Sequence, residues 1–218
     1  MTATQPTPAP VVPTSRPVRV ALVDSGGTNI GSVRTALQRL GAQAELTADE
    51  ATIRAADRVV LPGVGAAGAG MRRLHEAGLV PVLRDLQQPL LGVCLGMQLL
   101  LEGSEEDGGV ECLGLLPGQV VAIPGSARER VPHMGWNTLT PVRQDPLLAG
   151  IGDGDRAYFV HGYAAPVLEH TLATTSHAGT WSAVLGGPDG RCWGAQFHPE
   201  RSAAVGARLL RNFLEVPA

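Results

Sequence analysis

The chain has 218 residues and a formal net charge of −3, and its 17 Lys+Arg residues are all arginine. The absence of lysine excludes enzymes that hold pyridoxal phosphate or a carbonyl substrate as a lysine Schiff base, and it excludes a P-loop of the G-x-x-x-x-G-K-[ST] type. No basic cluster exceeds Arg72-Arg73, which argues against nucleic-acid binding. The length favours one domain, and the 44% hydrophobic fraction is sufficient for a full core.

Cysteine usage and the N-terminal segment indicate the cellular context. The three widely spaced cysteines, Cys94, Cys112 and Cys192, do not form a disulfide framework and favour a reducing cytoplasm. No apolar run approaches the roughly 20 residues of a membrane helix, and the N-terminus lacks the pattern of a secretory signal. Residues 1–17 are rich in proline, so we expect a disordered tail followed by one domain over residues 18–216.

The first half of the chain alternates predicted strands and helices. Residues 18–23 form an apolar run broken only by Arg19, which predicts a strand buried on both faces, as in a parallel sheet. The other predicted strands are 42–46, 58–61 and 90–93, and the predicted helices are 30–40, 48–56, 71–77, 79–87 and 97–101. Because short connections join them, the alternation indicates right-handed βαβ units and a doubly wound sheet.

The second half contains short strand patterns separated by loops, followed by a closing helix. We interpret these strands as antiparallel or edge additions to the sheet. They lie at residues 119–123, 137–140, 156–161, 171–176, 181–185 and 191–197. The closing helix is predicted over residues 201–214, where apolar residues recur at helical spacing.

The segment Gly92-Val93-Cys94-Leu95-Gly96 lies between a predicted strand and a predicted helix. It has the form of the G-x-S-x-G nucleophile elbow with cysteine replacing serine. In that motif the glycines permit a sharp turn that exposes the central side chain at the carboxyl end of the sheet. The N–H of Leu95 would then lie where an oxyanion forms. By itself the segment leaves open whether Cys94 is a nucleophile or a small buried hydrophobic residue.

A second candidate segment, Gln196-Phe197-His198-Pro199-Glu200, follows the last predicted strand. In a parallel sheet, a nucleophile and its base come from the carboxyl ends of different strands, so His198 is placed to accept the proton of Cys94. Glu200 can hold the imidazole in one tautomer and stabilise the imidazolium. Alone, His-Pro-Glu is a weak signal, because a loop histidine beside a surface glutamate gives the same pattern.

Together the two segments resemble class I glutamine amidotransferases, in which a cysteine elbow and a late His-Pro-Glu form the catalytic triad. The resemblance continues through four further segments, at residues 23–29, 61–65, 131–137 and 158–161. It implies a flavodoxin-like α/β domain: a mixed sheet with helices on both faces and added short antiparallel strands. It also implies hydrolysis of glutamine to glutamate and ammonia, and no cofactor.

The resemblance supplies roles for individual residues. The catalytic residues would be Cys94, His198 and Glu200, the oxyanion hole would comprise Leu95, Val64 and Gly65, and the substrate-binding residues would be Gly63, Gln98 and Glu106. The alternative for Gln98 is a helix-surface glutamine, and for Glu106 a solvated acidic loop. No His/Cys pair has the spacing of metal ligands along a helix, so we predict no metal site.

A methionine and a tryptophan beside glycine and proline in a predicted loop indicate a contact surface, since exposing them to water is unfavourable. The alternative is a local core turn covered by Trp136. The resemblance favours an interface in a heterodimer with a (β/α)8-barrel cyclase subunit that consumes the ammonia. The implied interface residues are Pro132, His133, Met134, Trp136 and Tyr158. Arg201 would replace a lysine that the family uses there, and His161 would be a packing residue.

Three other functions remain open from the sequence. One is a cysteine peptidase or related hydrolase on a similar sheet, which would cleave peptides or esters without responding to glutamine. Another is an interaction module in which the triad residues are only structural. The third is a sister amidotransferase that serves pyridoxal phosphate or anthranilate synthesis, against which the Met134-Gly135-Trp136 segment argues.

Overall fold

The computed structural model describes residues 16–24, 30–126 and 129–217. The predicted tail therefore lies almost entirely outside the described residues. Residues 25–29, part of the segment at residues 23–29 that contributes to the family resemblance, also lie outside them. In the part of the chain that is described, no helix is long and apolar enough to cross a bilayer.

The described residues form 14 strands and six α-helices. The strands are β1 (Arg19–Val23), β2 (Gln43–Thr47), β3 (Arg58–Gly63), β4 (Leu90–Cys94), β5 (Gly103–Ser104), β6 (Val110–Glu111), β7 (Gln119–Ala122), β8 (His133–Thr138), β9 (Thr140–Pro141), β10 (Arg156–His161), β11 (Tyr163–Ala164), β12 (Thr171–Ser176), β13 (Thr180–Gly186) and β14 (Cys192–Ala195). The helices are α1 (Ile30–Arg39), α2 (Glu50–Ala55), α3 (Ala67–Glu76), α4 (Leu79–Arg84), α5 (Leu95–Leu100) and α6 (Ala203–Glu215).

The main sheet has eight strands in the order β2-β1-β3-β4-β14-β13-β12-β9. The first five are parallel, in the flavodoxin-like order, and the last three are antiparallel additions. Strand β14 is thus a central parallel strand, and its prediction as an antiparallel or edge strand is wrong. It pairs with β4, which lies far earlier in the chain, so the residues of β14 alone do not indicate a parallel pairing. The pairing sets the carboxyl ends of β4 and β14 side by side.

Apolar side chains cover both faces of the parallel strands. Along β1, Val20 and Leu22 pack in a cluster with α1 and α6, whereas Ala21 and Val23 pack in a second cluster with α2 to α5. Successive residues of a strand point to opposite faces, so both sets are buried only when helices lie on both sides. This two-sided burial explains the continuous apolar run at the start of the domain.

Two smaller sheets complete the fold. Strands β8 and β10 form an antiparallel ribbon, and β11, β7, β5 and β6 form a four-stranded sheet. Strand β8 spans His133–Thr138 and β9 begins at Thr140, so the strand predicted at residues 137–140 has the wrong bounds. The Met134-Gly135-Trp136 segment, predicted as a loop, is part of β8. Pairing with β10 supplies its backbone hydrogen bonds, which a sequence containing proline and glycine did not indicate.

Candidate active site

Cys94 lies at the end of β4, directly before α5, with φ 54° and ψ −113°. This positive φ is strained for a residue with a side chain, as in a nucleophile elbow. Gly92 and Gly96 do not have positive φ, so they permit the turn through close packing rather than through a left-handed backbone. A Cβ on Gly92 would instead lie 2.6 Å from the Gly96 carbonyl oxygen, and a Cβ on Gly96 would overlap that of Leu61. The glycines allow close packing of α5 on the strands.

The side chain of His198, just beyond β14, pairs with Glu200. Nδ1 of His198 lies 2.9 Å from Oε1 of Glu200, and the two side chains are 5% and 1% exposed. An ionised carboxylate only accepts hydrogen bonds, so Nδ1 carries the proton and Nε2 is left for a second partner. Nε2 is buried and has no hydrogen-bond partner among the described residues.

Cys94 influences His198 without reaching hydrogen-bonding geometry with Nε2. Burial lowers the pKa of His198, but its interactions with Cys94 and Glu200 outweigh burial and raise the pKa to about 10. The site therefore favours an imidazolium beside the sulfur. Cys94, His198 and Glu200 thus lie together as the candidate nucleophile, base and orienting carboxylate of covalent catalysis.

A cavity of about 240 Å³ lies beside Cys94 and His198. It is also lined by five other residues predicted for the site: Val64, Gly65, Leu95, Gln98 and Glu106. Two larger surface depressions, one along the edge strand β2 and one at residues 141–151, contain no cysteine or histidine. The fold thus brings together the nucleophile, the base, the oxyanion-hole candidates and two of the three substrate-binding candidates.

The side chains of Gln98 and Glu106 are anchored rather than solvated. Nε2 of Gln98 donates to the Tyr163 carbonyl oxygen at 2.8 Å and to Oε1 of Gln196 at 3.0 Å, leaving the Gln98 carbonyl oxygen for a substrate. Oε2 of Glu106 accepts a 2.7 Å hydrogen bond from the backbone N–H of Ala67, at the start of α3. These positions favour the predicted substrate contacts, which remain predictions.

Gly63 lies outside this cavity, on the wall of a small void shared with His198 and Glu200. It pairs with Cys94 in the β3–β4 register. A Cβ there would lie 2.7 Å from the Gly96 nitrogen and 2.8 Å from the Leu95 Cβ. The structure therefore gives Gly63 a packing role at the base of the elbow, and its substrate contact remains a prediction.

A sequence model of the family described as glutamine amidotransferase class-I matches residues 21–216. The chain belongs to the class-I glutamine amidotransferase family. The imidazole glycerol phosphate synthase subunit HisH of Xanthomonas axonopodis pv. citri (strain 306) is 59% identical over 197 residues, which cover 90% of this chain and 97% of that protein. HisH of Xylella fastidiosa (strain Temecula1) is 55% identical over 199 residues, covering 91% and 98%.

Solved structures share the fold of this class-I amidotransferase. A glutamine amidotransferase superposes with a TM-score of 0.70 at 22% identity, covering 90% of this chain and 97% of that one. PurLQS from Thermotoga maritima superposes with a TM-score of 0.68 at 16% identity, covering 91% and 98%. At these identities the likeness supports the predicted fold class and carries no argument about substrate.

The outer face of the β8–β10 ribbon presents an exposed apolar surface on this amidotransferase. Met134 is 64% exposed and Trp136 is 46% exposed, and Pro132 is exposed beside them. The Trp136 ring packs edge-on against Tyr158 with a centroid distance of 6.1 Å, and the guanidinium of Arg201 lies 4.4 Å from the centroid of the Tyr158 ring. We call Met134, Trp136 and Tyr158 the ribbon surface.

His133 does not belong to the ribbon surface, although it was predicted at the interface. It is buried, and its ring stacks on Phe159 at 4.7 Å and on His177 at 4.3 Å. Side chains alternate along a strand, so outward Met134 requires inward His133. Nδ1 of His133 lies 3.1 Å from Nε2 of His161, which is also buried and lines the catalytic cavity.

Three groups at the site were given no role from the sequence. Nε2 of the fully buried Gln196 and the carbonyl oxygen of Val160 each lie 3.9 Å from the Cys94 sulfur. Oγ of Ser202 donates to the His198 carbonyl oxygen at 2.7 Å. Gln196 stands in the quoted His-Pro-Glu segment, where a polar residue at the end of a buried strand is a usable signal. A backbone contact such as that of the Val160 carbonyl oxygen leaves no signal in the sequence.

Proposed function

We propose that this chain is the glutaminase subunit of imidazole glycerol phosphate synthase in histidine biosynthesis. It hydrolyses L-glutamine and passes ammonia to a (β/α)8-barrel cyclase subunit, which makes imidazole glycerol phosphate and AICAR from PRFAR. The observation that carries the proposal is the buried His198–Glu200 pair beside Cys94, in a chain 59% identical to a HisH subunit over 90% of its length.

In the first half of the proposed reaction, Nε2 of His198 removes the proton of Cys94. The thiolate adds to the side-chain carbonyl carbon of glutamine, and the carbonyl electron pair moves to the oxygen. His198 then donates its proton to the amide nitrogen, the electron pair on the oxygen re-forms the carbonyl as the C–N bond breaks, and ammonia leaves. The product is a γ-glutamyl thioester on Cys94. Glu200 stabilises the imidazolium at each stage without accepting its proton.

In the second half, water attacks the thioester while His198 removes one of its protons. The C–S bond breaks, His198 returns the proton to the sulfur, and glutamate leaves. Overall, the oxygen of water takes the place of the amide nitrogen on the acyl carbon. The exchange requires no oxidant, metal or nucleotide. His198 thus serves as base and acid in both halves.

The oxyanion hole is proposed to include the backbone N–H of Leu95, which lies in the first turn of α5 and has no intrahelical acceptor. The second donor would come from Val64 or Gly65. Gly65 is exposed with φ +95°, and nothing lies within 4 Å of the position of a Cβ there. A peptide plane in this loop is free to reorient, so we propose that partner binding completes the hole. Very low activity of the isolated chain follows, and fast partner-independent turnover would contradict it.

The ribbon surface is the proposed docking site of the cyclase subunit in a heterodimer. It is apolar, exposed and flanked by the cation of Arg201, and its inner strand, β10, lines the catalytic cavity through Val160 and His161. Docking there shortens the path of ammonia from Cys94 to the partner. We also propose that residues 18–216 form one amidotransferase domain, which the family match over residues 21–216 supports. We propose a cytoplasmic location, which the three free cysteines support.

The decisive experiment is Cys94→Ala in the complex with the barrel subunit. Removing the nucleophile should abolish glutamine-dependent synthesis of imidazole glycerol phosphate, while synthesis from added ammonium salt should continue at the wild-type rate. Cys112→Ala is the matched control, because Cys112 is buried away from the cavity.

Each rival function predicts a different outcome of that experiment. Loss of both activities in Cys94→Ala would indicate a structural role for Cys94. Hydrolysis of peptides or esters without a response to glutamine would indicate a different hydrolase. Co-purification with a barrel subunit of another pathway, and no stimulation by the histidine-pathway cyclase, would indicate a sister amidotransferase.

A further inference from the structure

Ser202 occupies the N-cap position of α6, and its hydroxyl makes no capping hydrogen bond with that helix. Serine is common at this position because its oxygen accepts a hydrogen bond from the backbone N–H two or three residues later. Here the hydroxyl is directed elsewhere, and the next residue, Ala203, has φ 47°, a strained value for a non-glycine residue. Such strain persists only where surrounding contacts enforce it, so the contacts of the Ser202 hydroxyl require an explanation.

The hydroxyl of Ser202 connects His198 to Tyr158. Its oxygen donates to the His198 carbonyl oxygen at 2.7 Å and accepts from the Tyr158 N–H at 2.9 Å. The N–H of His198 in turn donates to the Tyr158 carbonyl oxygen at 2.9 Å. These three hydrogen bonds form a closed ring that holds the backbone of His198 on both sides, and Ser202 is fully buried within it.

Tyr158, a member of this hydrogen-bonded ring, also belongs to the ribbon surface. Both backbone polar groups of Tyr158 are used by the His198 turn, so Tyr158 and its partner Trp136 form a non-hydrogen-bonded pair, in which side chains approach most closely. Two residues along the same edge of β10, the Val160 carbonyl oxygen lies 3.9 Å from the Cys94 sulfur. One edge of β10 therefore contacts both the candidate base and the candidate nucleophile, while Tyr158 of β10 also belongs to the ribbon surface with Met134 and Trp136 of β8.

We propose that Ser202 is a positioning residue, which fixes the backbone of His198 to β10 and so makes the base respond to a partner bound on the ribbon surface. This inference rests on the proposed function. Ser202 contacts neither substrate nor the reacting atoms and acts through His198 and Tyr158. Replacing it with alanine removes no charge, so the titratable neighbours of His198, namely Cys94, Glu200 and His161, are unchanged, as is Arg201 in the adjoining turn.

The first test compares Ser202→Ala and Ser202→Thr in the complex with the barrel subunit. A misplaced base slows chemistry rather than binding, so kcat for glutamine hydrolysis by Ser202→Ala should fall about tenfold or more, with the KM for glutamine within about twofold of wild type. Ser202→Thr retains the hydroxyl and should restore most of the rate. The affinity for the barrel subunit should not change.

The second test uses the isolated chain and needs no glutaminase activity. Alkylation of Cys94 by iodoacetamide requires His198 to take the thiol proton, so Ser202→Ala should slow the time profile of alkylation near neutral pH. Burial raises the pKa of Cys112 to about 11 and that of Cys192 to about 12, so these thiols contribute little near neutral pH. Cys94→Ala measures that background.

Asp49→Ala is the matched structural control. Asp49 is the N-cap of α2, remote from the site, and its carboxylate accepts from the Thr52 N–H at 2.8 Å. Its removal should lower the urea midpoint of unfolding while leaving both kinetic readouts at wild-type values.

The inference is overturned if Ser202→Ala keeps the wild-type kcat and alkylation profile, or if Ser202→Thr is as impaired as Ser202→Ala. A wild-type complex that does not hydrolyse glutamine would instead refute the proposed function. The alkylation profile of the isolated chain would still decide the role of Ser202 in that case.

Discussion

Individual residues at the site are held in conformations that their side chains alone do not favour. Cys94 and Ala203 both have positive φ, and each stands beside a catalytic segment, one at the elbow and one after the His198 turn. Positive φ costs a non-glycine residue of order 1–3 kcal/mol. Close packing of Gly96 on Leu61 enforces the first, and the hydrogen-bond ring around Ser202 accompanies the second.

The role of Glu200 can be tested by Glu200→Gln. The amide keeps the size of the side chain but removes the charge that stabilises the imidazolium, so kcat for glutamine should fall about 100-fold with little change in KM. The pKa of His198 should fall, since the interaction with Glu200 is one of the causes that raise it. Steady-state kinetics and the pH profile of kcat/KM measure the two effects.

Glu215→Gln is the control for that substitution, because Glu215 is exposed at the end of α6. It should behave as wild type in both measurements. A Glu200→Gln enzyme with wild-type kcat would show that the carboxylate does not assist His198.

Three glycines, which lack side chains, allow α5 to pack closely on β3 and β4. Gly92, Gly96 and Gly63 all lie where a Cβ would meet backbone atoms of the elbow or of the strand beneath it. Backbone atoms cannot move aside as a flexible side chain can, so these positions set the distance between the helix and the sheet. That distance in turn places Cys94 and the N–H of Leu95.

Gly96→Ala should destabilise the protein by about 1–3 kcal/mol or more, because the new methyl group overlaps the carbonyl oxygen of Leu61 and forces α5 outward. Gly31→Ala, in α1, is the matched substitution: nothing lies within 4 Å of its Cβ, and alanine there should stabilise by up to about 0.5–1 kcal/mol. Urea unfolding measures both. Equal effects of the two substitutions would contradict the packing argument.

Across the whole molecule, a chain of buried neutral histidines joins the ribbon to the catalytic cavity. Nδ1 of His161 lies 2.8 Å from the Tyr163 carbonyl oxygen and must donate to it, so Nε2 of His161 accepts from Nδ1 of His133. Nε2 of His133 then accepts from the amide of Asn137 at 3.1 Å. Each ring is satisfied as a neutral imidazole, and adding a proton would leave two donors facing each other.

The stability of the protein should therefore fall in mild acid. Burial is the main cause that lowers the pKa of His133 to about 3 and that of His161 to about 4, whereas both titrate near 6.5 when unfolded. Between pH 6.5 and about 4 the unfolded chain binds more protons, so the free energy of unfolding decreases as pH falls. His198, whose folded pKa is raised to about 10, stays protonated in the folded state, so it opposes this slope above about pH 6, where the unfolded histidine is still partly neutral, and adds little below that.

Urea unfolding at intervals from pH 7 to pH 5 measures this dependence. The slope should reach about two protons or more near the lower end of the range, because burial also lowers the pKa of His170. His161→Gln should reduce it by about one proton, whereas His75→Gln, at an exposed position of α3, should leave it unchanged. A free energy of unfolding that is constant over this range would contradict neutral burial of the two histidines.

Local patterns predict elements well where burial repeats along the chain. The strands at residues 156–161 and 171–176 are confirmed with their predicted bounds, and α1 differs by one residue at its end. Patterns fail where pairing with a distant segment decides the structure. The strand that begins at His133 depends on β10, and β3 continues through Pro62 and Gly63 because it pairs with β4.

From the sequence alone, the chemistry of the site could be predicted. A cysteine between glycines after a buried strand and a late His-Pro-Glu, taken with the family resemblance, predict a triad that needs no lysine. Only the tertiary structure decided which groups hold that triad in place. The contacts of Ser202, Gln98 and Gln196 join segments far apart in the chain, and the burial of His133 depends on which face of β8 turns inward. Such contacts arise when the sheet assembles, so no local pattern of residues specifies them.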